Sequence, residues 1–498
     1  SHVPASREVQ ALMEEMGFLP RSIRRGADAL LYFKQSEHIE DFLTKIGAPA
    51  AAMDIMTAKV DKEIRNGANR AMNCDMANVK EALDAAQEQM SAIERLRGSA
   101  RWDRLPEKLR QTAPQWYPVA AYLDKKGFPL YRNTQLHYLP TGEAYLDDML
   151  TVLDTAQRFI FVEYFIMAEG QIWDRLSEIL CRKSRQGVEV KLIFDDFGSM
   201  MRMPNEKVEE LQDAGVEVKV FNPVHHYVNR LYFNYRDHRK ITCVDGDVAY
   251  TGGANIADEY ANLIERFGYW KDCGVRLEGE GAWGLTRAFL QMWERMGGEA
   301  QHEYDYYRPL HHPAAQGFCQ TVVDGPDDNP NNAAEDLFLQ LISRARHTVY
   351  ITTPHLAIDE PMLKALCLAA DSGVDVRLIM PGIPDHKFAY LVAESYFSEL
   401  MEHHVKIYTF TPGLIHGKTV LADREVGFAG SVNMDYRSFQ LHFECGEVFY
   451  GVPAIEALLE DMDNTMSRSA LMTPERMAQR PVWRRVMGTV LRLFAMWM

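Results

Sequence analysis

Arg158-Phe-Ile-Phe-Val-Glu-Tyr-Phe165 leads through a helical stretch into Gly187-Val-Glu-Val-Lys-Leu-Ile-Phe194. His347-Thr-Val-Tyr-Ile-Thr-Thr-Pro354 leads through another into Gly373-Val-Asp-Val-Arg-Leu-Ile-Met380. In each pair, two short runs rich in β-branched and aromatic residues flank a helical pattern, which is the signature of a strand–helix–strand unit in a mixed or parallel sheet. Further runs at Val216–Phe221 and Ile241–Val244 extend the pattern in the first half. Its recurrence marks an internal duplication. The expected fold is therefore α/β, with two repeats, each a mixed sheet with flanking helices, facing one another. A polar, Pro/Asn/Asp-rich stretch at 308–333 reads as the hinge between them. The repeats are expected at 114–320 and 321–498, after a mainly helical N-terminal segment, 1–113. In that segment Val79, Leu83, Ala86, Met90, Ile93 and Leu96 recur at three- and four-residue steps, as in an amphipathic helix over Ala77–Arg97.

Each half carries one copy of a second pattern. His238-Arg-Lys240 is followed by Asp245 and then by Gly252-Gly-Ala-Asn255. His416-Gly-Lys418 is followed by Asp423 and then by Gly430-Ser-Val-Asn433. A single His-x-Lys is usually an accident of the surface. Two copies with the same downstream offsets, at equivalent places in a duplicated unit, are not. Residues two apart on a strand share a face, so His and Lys project together, and repeats folded face to face bring both pairs into one pocket. One imidazole there can attack a phosphodiester phosphorus while the other protonates the departing oxygen. Lys240, Lys418, Asn255, Asn433 and Ser431 are candidates to neutralise charge on the non-bridging oxygens. Asp245 and Asp423 are candidates to orient either an imidazole or a neighbouring backbone. Glu163 and Glu444 are candidate pocket carboxylates, for which a structural hydrogen bond or ion pair is an equal alternative.

Composition narrows the functional classes. No apolar run approaches the roughly 18 residues that would span a bilayer, and Ser1-His2 reads as a cloning remnant. The seven cysteines (74, 181, 243, 273, 319, 367 and 445) are scattered and never spaced Cys-x-x-Cys, which argues against a disulfide framework or a zinc site and for a reduced, cytoplasmic setting. Net charge is −16; residues 1–113 hold 17 Lys+Arg against 17 Asp+Glu, so 54 − 17 = 37 against 70 − 17 = 53 leaves the whole excess beyond them. An acidic body repels phosphate backbones, making nucleic acid an unlikely partner. The terminal stretch Pro481–Met498 has Arg484, Arg485 and Arg492 among Trp483, Val486, Val490, Leu491, Leu493, Phe494 and Trp497 and no acidic residue. It reads as a basic interfacial helix among lipid headgroups, the alternative being a terminal helix docked on the protein's own core.

The duplicated His-x-Lys-x4-Asp with its Gly-Gly/Ser-x-Asn tail resembles the signature of the phospholipase D superfamily. Val162-Glu-Tyr-Phe-Ile166, Phe194-Asp-Asp-Phe-Gly-Ser199, Phe221-Asn-Pro223, Asn234-Tyr-Arg-Asp-His-Arg-Lys-Ile241, Gly252-Gly-Ala-Asn-Ile-Ala-Asp-Glu-Tyr260 and Gly268-Tyr-Trp-Lys-Asp272 are similar to the bacterial cardiolipin synthases, over about 117–498. The resemblance implies a two-step transfer with no metal or organic cofactor. One phosphatidylglycerol loads its phosphatidyl group onto a histidine and releases glycerol, and a second accepts it. By analogy His238 is the nucleophile and His416 the acid/base, although the symmetry of the motifs does not order them. It also implies a phospholipid substrate and, in such synthases, N-terminal transmembrane helices; with no apolar run long enough to span a bilayer, the expected place here is peripheral, on the cytoplasmic face of the cell membrane. The rival within this chemistry is a phospholipase D or phosphodiesterase, with water as acceptor.

Residues from about 30 to 113 resemble part of the sporulation regulator family WhiA, through Tyr32-Phe-Lys-Gln-Ser-Glu37, Phe42-Leu-Thr-Lys-Ile-Gly-Ala48, Asn69-Arg-Ala-Met-Asn-Cys74, Ala77-Asn78 and Leu105-Pro-Glu-Lys-Leu-Arg110. That family joins a LAGLIDADG-like domain to a helix-turn-helix. The expectation here is the end of the first domain only, without the helix-turn-helix. A rival of another class follows, a DNA-binding regulatory protein acting through this segment.

Overall fold

Continuous apolar runs become strands buried on both faces, because helices cover a parallel sheet on each side. The computed structural model shows this for Phe159–Tyr164 (β2) and Glu189–Asp195 (β3), in which every position is buried. It describes residues 105–492 apart from 201, 224–233 and 327–331. The chain divides into units Ser1–Arg104 and Leu105–Met498. The expectations for the first 104 residues lie outside the described residues, as do those for 493–498.

The first half contributes β1 (Thr134–Leu139), β2, β3, β4 (Glu217–Phe221), β5 (Lys240–Val244), β6 (Val248–Gly252), β7 (Tyr269–Lys271) and β8 (Gly274–Gly279). The second contributes β9 (Phe318–Asp324), β10 (Thr348–Thr352), β11 (Leu356–Ala357), β12 (Asp375–Pro381), β13 (Lys406–Phe410), β14 (Gly413–Ile415), β15 (Thr419–Ala422), β16 (Val426–Gly430), β17 (Met434–Asp435), β18 (Glu444–Tyr450) and β19 (Ser469–Leu471). The large sheets run β1-β8-β6-β5-β2-β3-β4 and β9-β18-β16-β15-β10-β12-β13-β19. They share one topology, with β19 as an added edge strand. In each, three parallel strands continue into four antiparallel ones. The duplicated α/β fold expected from sequence is present.

The stretch 308–333 is not a free hinge. Cys319-Gln-Thr-Val-Val323 is β-forming and pairs along β18 as the edge strand β9, whose Gln320 amide donates to the Ala120 and Phe128 carbonyls. The halves form one unit, tied together by Tyr138 and Lys271, which both reach Asp461 at 2.7 and 2.8 Å. The start of the body also moves. The helix Leu105–Thr112 belongs to it, with Leu109 and the following Trp116 buried.

The helix Val482–Arg492 docks on the helix Lys387–Glu402 through its polar side. Arg484 meets Glu394 at 2.9 Å and Arg492 meets Glu399 at 3.2 Å, while its guanidinium lies 4.0 Å from the Tyr396 ring centre. Gly488 permits the close approach, since a β-carbon there would stand 2.5 Å from the Leu391 carbonyl. Arg484 and Arg492 are thus engaged by protein carboxylates rather than left for headgroups. Trp483, Val486, Met487 and Val490 face outward and are exposed.

Candidate active site

His238 and His416 each stand just before a central strand, β5 or β15, and each is pinned by backbone from the opposite half. The His238 amide donates to the Phe443 carbonyl at 2.9 Å, beside an Asp237–Phe443 bridge. The His416 amide donates to the Lys271 carbonyl at 2.8 Å, where β14 pairs with β7. These crossed connections carry a carboxylate to each imidazole. Glu444 of the second half takes His238 Nδ1 at 2.9 Å, and Asp272 of the first takes His416 Nδ1 at 2.7 Å. All four side chains are buried. Each histidine is therefore oriented in trans, with Nδ1 committed to a carboxylate; His238 Nε2 is left for chemistry, and His416 Nε2 lies 3.2 Å from Lys418 Nζ. Second-layer contacts fix the carboxylates. Ser431 Oγ and Ser438 Oγ both donate to Glu444, the latter at 2.7 Å. Asp272 accepts the Cys273 amide at 2.9 Å and lies against Gly253, where a β-carbon would come within 2.2 Å of Oδ1.

The lysines curl back onto their own histidines. Lys240 Nζ donates to the His238 carbonyl. Lys418 Nζ donates to the His416 carbonyl and lies 3.0 Å from His416 Nδ1. Taking four potential cations out of water lowers their proton affinity. Burial pushes Lys240 down to about 7, and it lowers Lys418. It also holds His238 well below the usual imidazole range, helped by the charges of Lys240, Lys418 and His416. His416 falls to about 4, through burial and then Lys418, against the pull of Asp272. Burial tends to raise Asp272, but His416 and Lys418 outweigh it and leave the carboxyl below its ordinary value. The four buried groups thus form a desolvated cluster of potential cations, a setting suited to an anionic phosphodiester.

The other expected residues separate into groups. Asp245 and Asp423 touch neither imidazole, which corrects their grouping with the catalytic residues and leaves the backbone alternative. They lie at the far ends of β5 and β15. Asp245 accepts the amides of Gln157, Arg158 and Phe159 at 2.8, 2.7 and 2.9 Å. Asp423 accepts those of Arg346, His347 and Thr348 at 2.9, 2.7 and 2.9 Å. Both adopt the left-handed backbone conformation that Asp tolerates in a tight turn. Asn255 is also occupied, accepting the Ile166 amide at 3.0 Å and donating to Tyr260 Oη at 2.8 Å. Ser431 is spent on Glu444, and Glu163 pairs with Arg239 at 2.7 Å. Each of these three side chains is thus engaged by protein partners. Asn433 Oδ1 is buried with no hydrogen-bond partner.

Two features were absent from the sequence reading. Asp272 had a signal available, since Asp272-Cys-Gly274 and Glu444-Cys-Gly446 are a repeated acidic-Cys-Gly triplet in corresponding strands. His355 is clamped between Asp385 and Asp435 at 3.1 and 3.4 Å. Burial opposes protonation there, but the two carboxylates prevail and raise it to about 10, making it a fixed cation.

The two facing repeats and their crossed His–carboxylate pairs define a phospholipase D-like enzyme. Residues 149–265 and 338–466 match the family described as "Cardiolipin synthase, PLD-like domain". A cardiolipin synthase of Geobacillus kaustophilus is 35% identical over 395 residues, 79% of this chain and 77% of the relative. Cardiolipin synthase 2 of Bacillus anthracis is 36% identical over 367 residues, 73% and 70% of the two chains. The crystal structure of a Haemophilus influenzae phosphatidylserine synthase superposes with a TM-score of 0.59 at 15% identity, covering 77% of this chain and 100% of that one, which shows a shared fold. The chain belongs to the cardiolipin synthase family of phospholipase D-like phosphatidyltransferases. Ahead of it, residues 2–65 match the WhiA LAGLIDADG-like domain and 68–115 the WhiA C-terminal helix-turn-helix domain. The expectation that the helix-turn-helix is missing is overturned, and the LAGLIDADG-like match begins earlier than the expected residue 30.

Proposed function

We propose that the chain makes cardiolipin from two molecules of phosphatidylglycerol. His238 Nε2 attacks the phosphorus of the first, and His416 gives a proton to the departing glycerol oxygen, leaving a phosphohistidine. The terminal hydroxyl of a second phosphatidylglycerol gives its proton to His416 and attacks that phosphorus, and His238 leaves. The observation that carries this reading is the crossed pairing, in which each Nδ1 is held by a buried carboxylate from the other half. The test is incubation with labelled phosphatidylglycerol vesicles and separation of the lipids. Cardiolipin and glycerol are expected. Phosphatidic acid alone would mark a hydrolase, and an unchanged lipid would defeat both readings. The order of the histidines is tested by trapping, since acid-labile label on the wild-type protein during turnover should map to His238 and be absent from His238→Ala.

The helix-turn-helix match favours a second activity for the N-terminal unit, duplex DNA binding. A chain beginning at Leu105 should then lose low-salt duplex binding that the full chain shows. Equal binding by both would remove the idea.

A further inference from the structure

The two halves differ beside the chemistry in the residue that packs on each catalytic ring. Two residues before each orienting carboxylate stands Trp270 in the first half and His442 in the second. Trp270 packs 5.3 Å from the His416 ring and offers its indole N–H to Asp272. His442 takes the matching place 5.5 Å from the His238 ring. It is 8% exposed, and neither ring nitrogen has a hydrogen-bond partner. The surroundings of the proposed nucleophile His238 therefore hold a second buried imidazole and a carboxylate, both from the other half, where the surroundings of His416 hold an indole.

We propose that His238, His442 and Glu444 form an inhibitory site for a zinc-class divalent ion. One ligand atom from each of the three lies within 4.8 Å of the others. His238 Nδ1 and His442 Nδ1 stand 2.9 and 3.7 Å from Glu444 Oε1. Tetrahedral zinc with ligands at about 2.0–2.1 Å separates them by about 3.3 Å, and two histidines with one carboxylate are a familiar zinc set that leaves a fourth position for water. The consequence follows from the ring. An ion on His238 Nδ1 displaces the proton shared with Glu444 and fixes the tautomer with hydrogen on Nε2. That nitrogen then has no lone pair for phosphorus. The ion is a brake on the reaction and takes no part in it. Magnesium, which prefers oxygen ligands, does not substitute.

The proposal rests on the transfer reading only for its second readout. The first is direct binding, with the full chain titrated with Zn2+ against a chromophoric chelator. Wild type and His416→Ala should bind one ion that His442→Asn and His442→Gln lose, or bind roughly tenfold or more weakly. The second is transfer on detergent-dispersed phosphatidylglycerol at buffered free zinc. Zinc should inhibit, EDTA should restore the rate, Mg2+ should leave it unchanged, and both His442 variants should need roughly tenfold or more zinc, each measured against its own zinc-free rate. Melting curves establish that the variants are folded, and zinc should raise the melting temperature of wild type and His416→Ala but not of the His442 variants. Equal zinc binding by wild type and a folded His442 variant would overturn the site, as would loss of binding in His416→Ala. A chain that binds zinc in the expected pattern but leaves phosphatidylglycerol untouched would refute the transfer reading and leave the site standing.

Discussion

His238 and His416 are alike in motif yet cannot replace one another, because one must attack while the other moves the proton. His238→Ala and His416→Ala should each abolish transfer with the fold intact, general acid help alone being worth roughly 10²–10⁴. A rate above a tenth of normal in either, measured on labelled phosphatidylglycerol, would undo the assignment. Their carboxylates act through them. Glu444→Gln and Asp272→Asn keep shape but lose the charge that holds Nδ1–H, so kcat should fall by roughly 10³–10⁴ with KM little changed, as for the buried carboxylate of a serine-protease triad. A KM effect with normal kcat would instead place these groups on substrate. This is also where the sequence was only partly legible. Matching offsets picked out the histidines and lysines, because chemistry constrains local spacing. The offsets to the carboxylates differ, 34 residues from His238 to Asp272 but 28 from His416 to Glu444, and each serves the histidine of the other half. Asp245 and Asp423 follow the motif faithfully for another reason, clamping the start of a neighbouring strand.

At the scale of elements, composition located β2, β3, β10 and β12 because strands covered on both faces are rich in β-branched and aromatic residues. It mistook β9 for a linker, since the polar residues on either side of Phe318–Asp324 dominate the composition there. The helix Val482–Arg492 shows both expected features in an inverted arrangement. Arg484 and Arg492 face protein carboxylates, and Trp483, Val486, Met487 and Val490 face outward. No helix among the described residues is long and apolar enough to cross a membrane. An outward row of Trp483, Val486, Met487 and Val490 suits shallow insertion into a bilayer surface, where apolar burial supplies the attachment. Replacing these four with serine should lower activity on phosphatidylglycerol vesicles by roughly tenfold or more, while activity on detergent-dispersed lipid stays near normal. Equal losses in the two assays would mean that the helix stabilises the body and does not dock on lipid.

For the whole molecule, the pocket's charge exists only because two halves pool it. Lys240 at about 7 and His416 at about 4 are depressed by burial and by neighbouring cations, so an anion entering between them must raise both. Sulfate binding between pH 7 and 8 should therefore take up protons, seen as a buffer-dependent heat in calorimetry; proton release would contradict the charge assignment. Pooling also sets where the catalytic body must begin. Both sheets, both motifs and the crossed carboxylates lie beyond Arg104, within the unit that starts at Leu105. The first helices are part of that unit. Leu109 and Trp116 are buried, Gln115 donates to Asp423 at 2.6 Å, and the Trp116 indole donates to Glu425 at 2.7 Å. A chain beginning at Leu105 should fold and convert phosphatidylglycerol at near the full-length rate. One beginning at Pro114 loses Leu109, a buried leucine worth roughly 2–5 kcal/mol, and should melt several degrees lower while the folded fraction keeps its kcat. If the Leu105 chain is folded but idle on dispersed lipid, the N-terminal unit contributes to the active site and the two sequence resemblances describe a single machine.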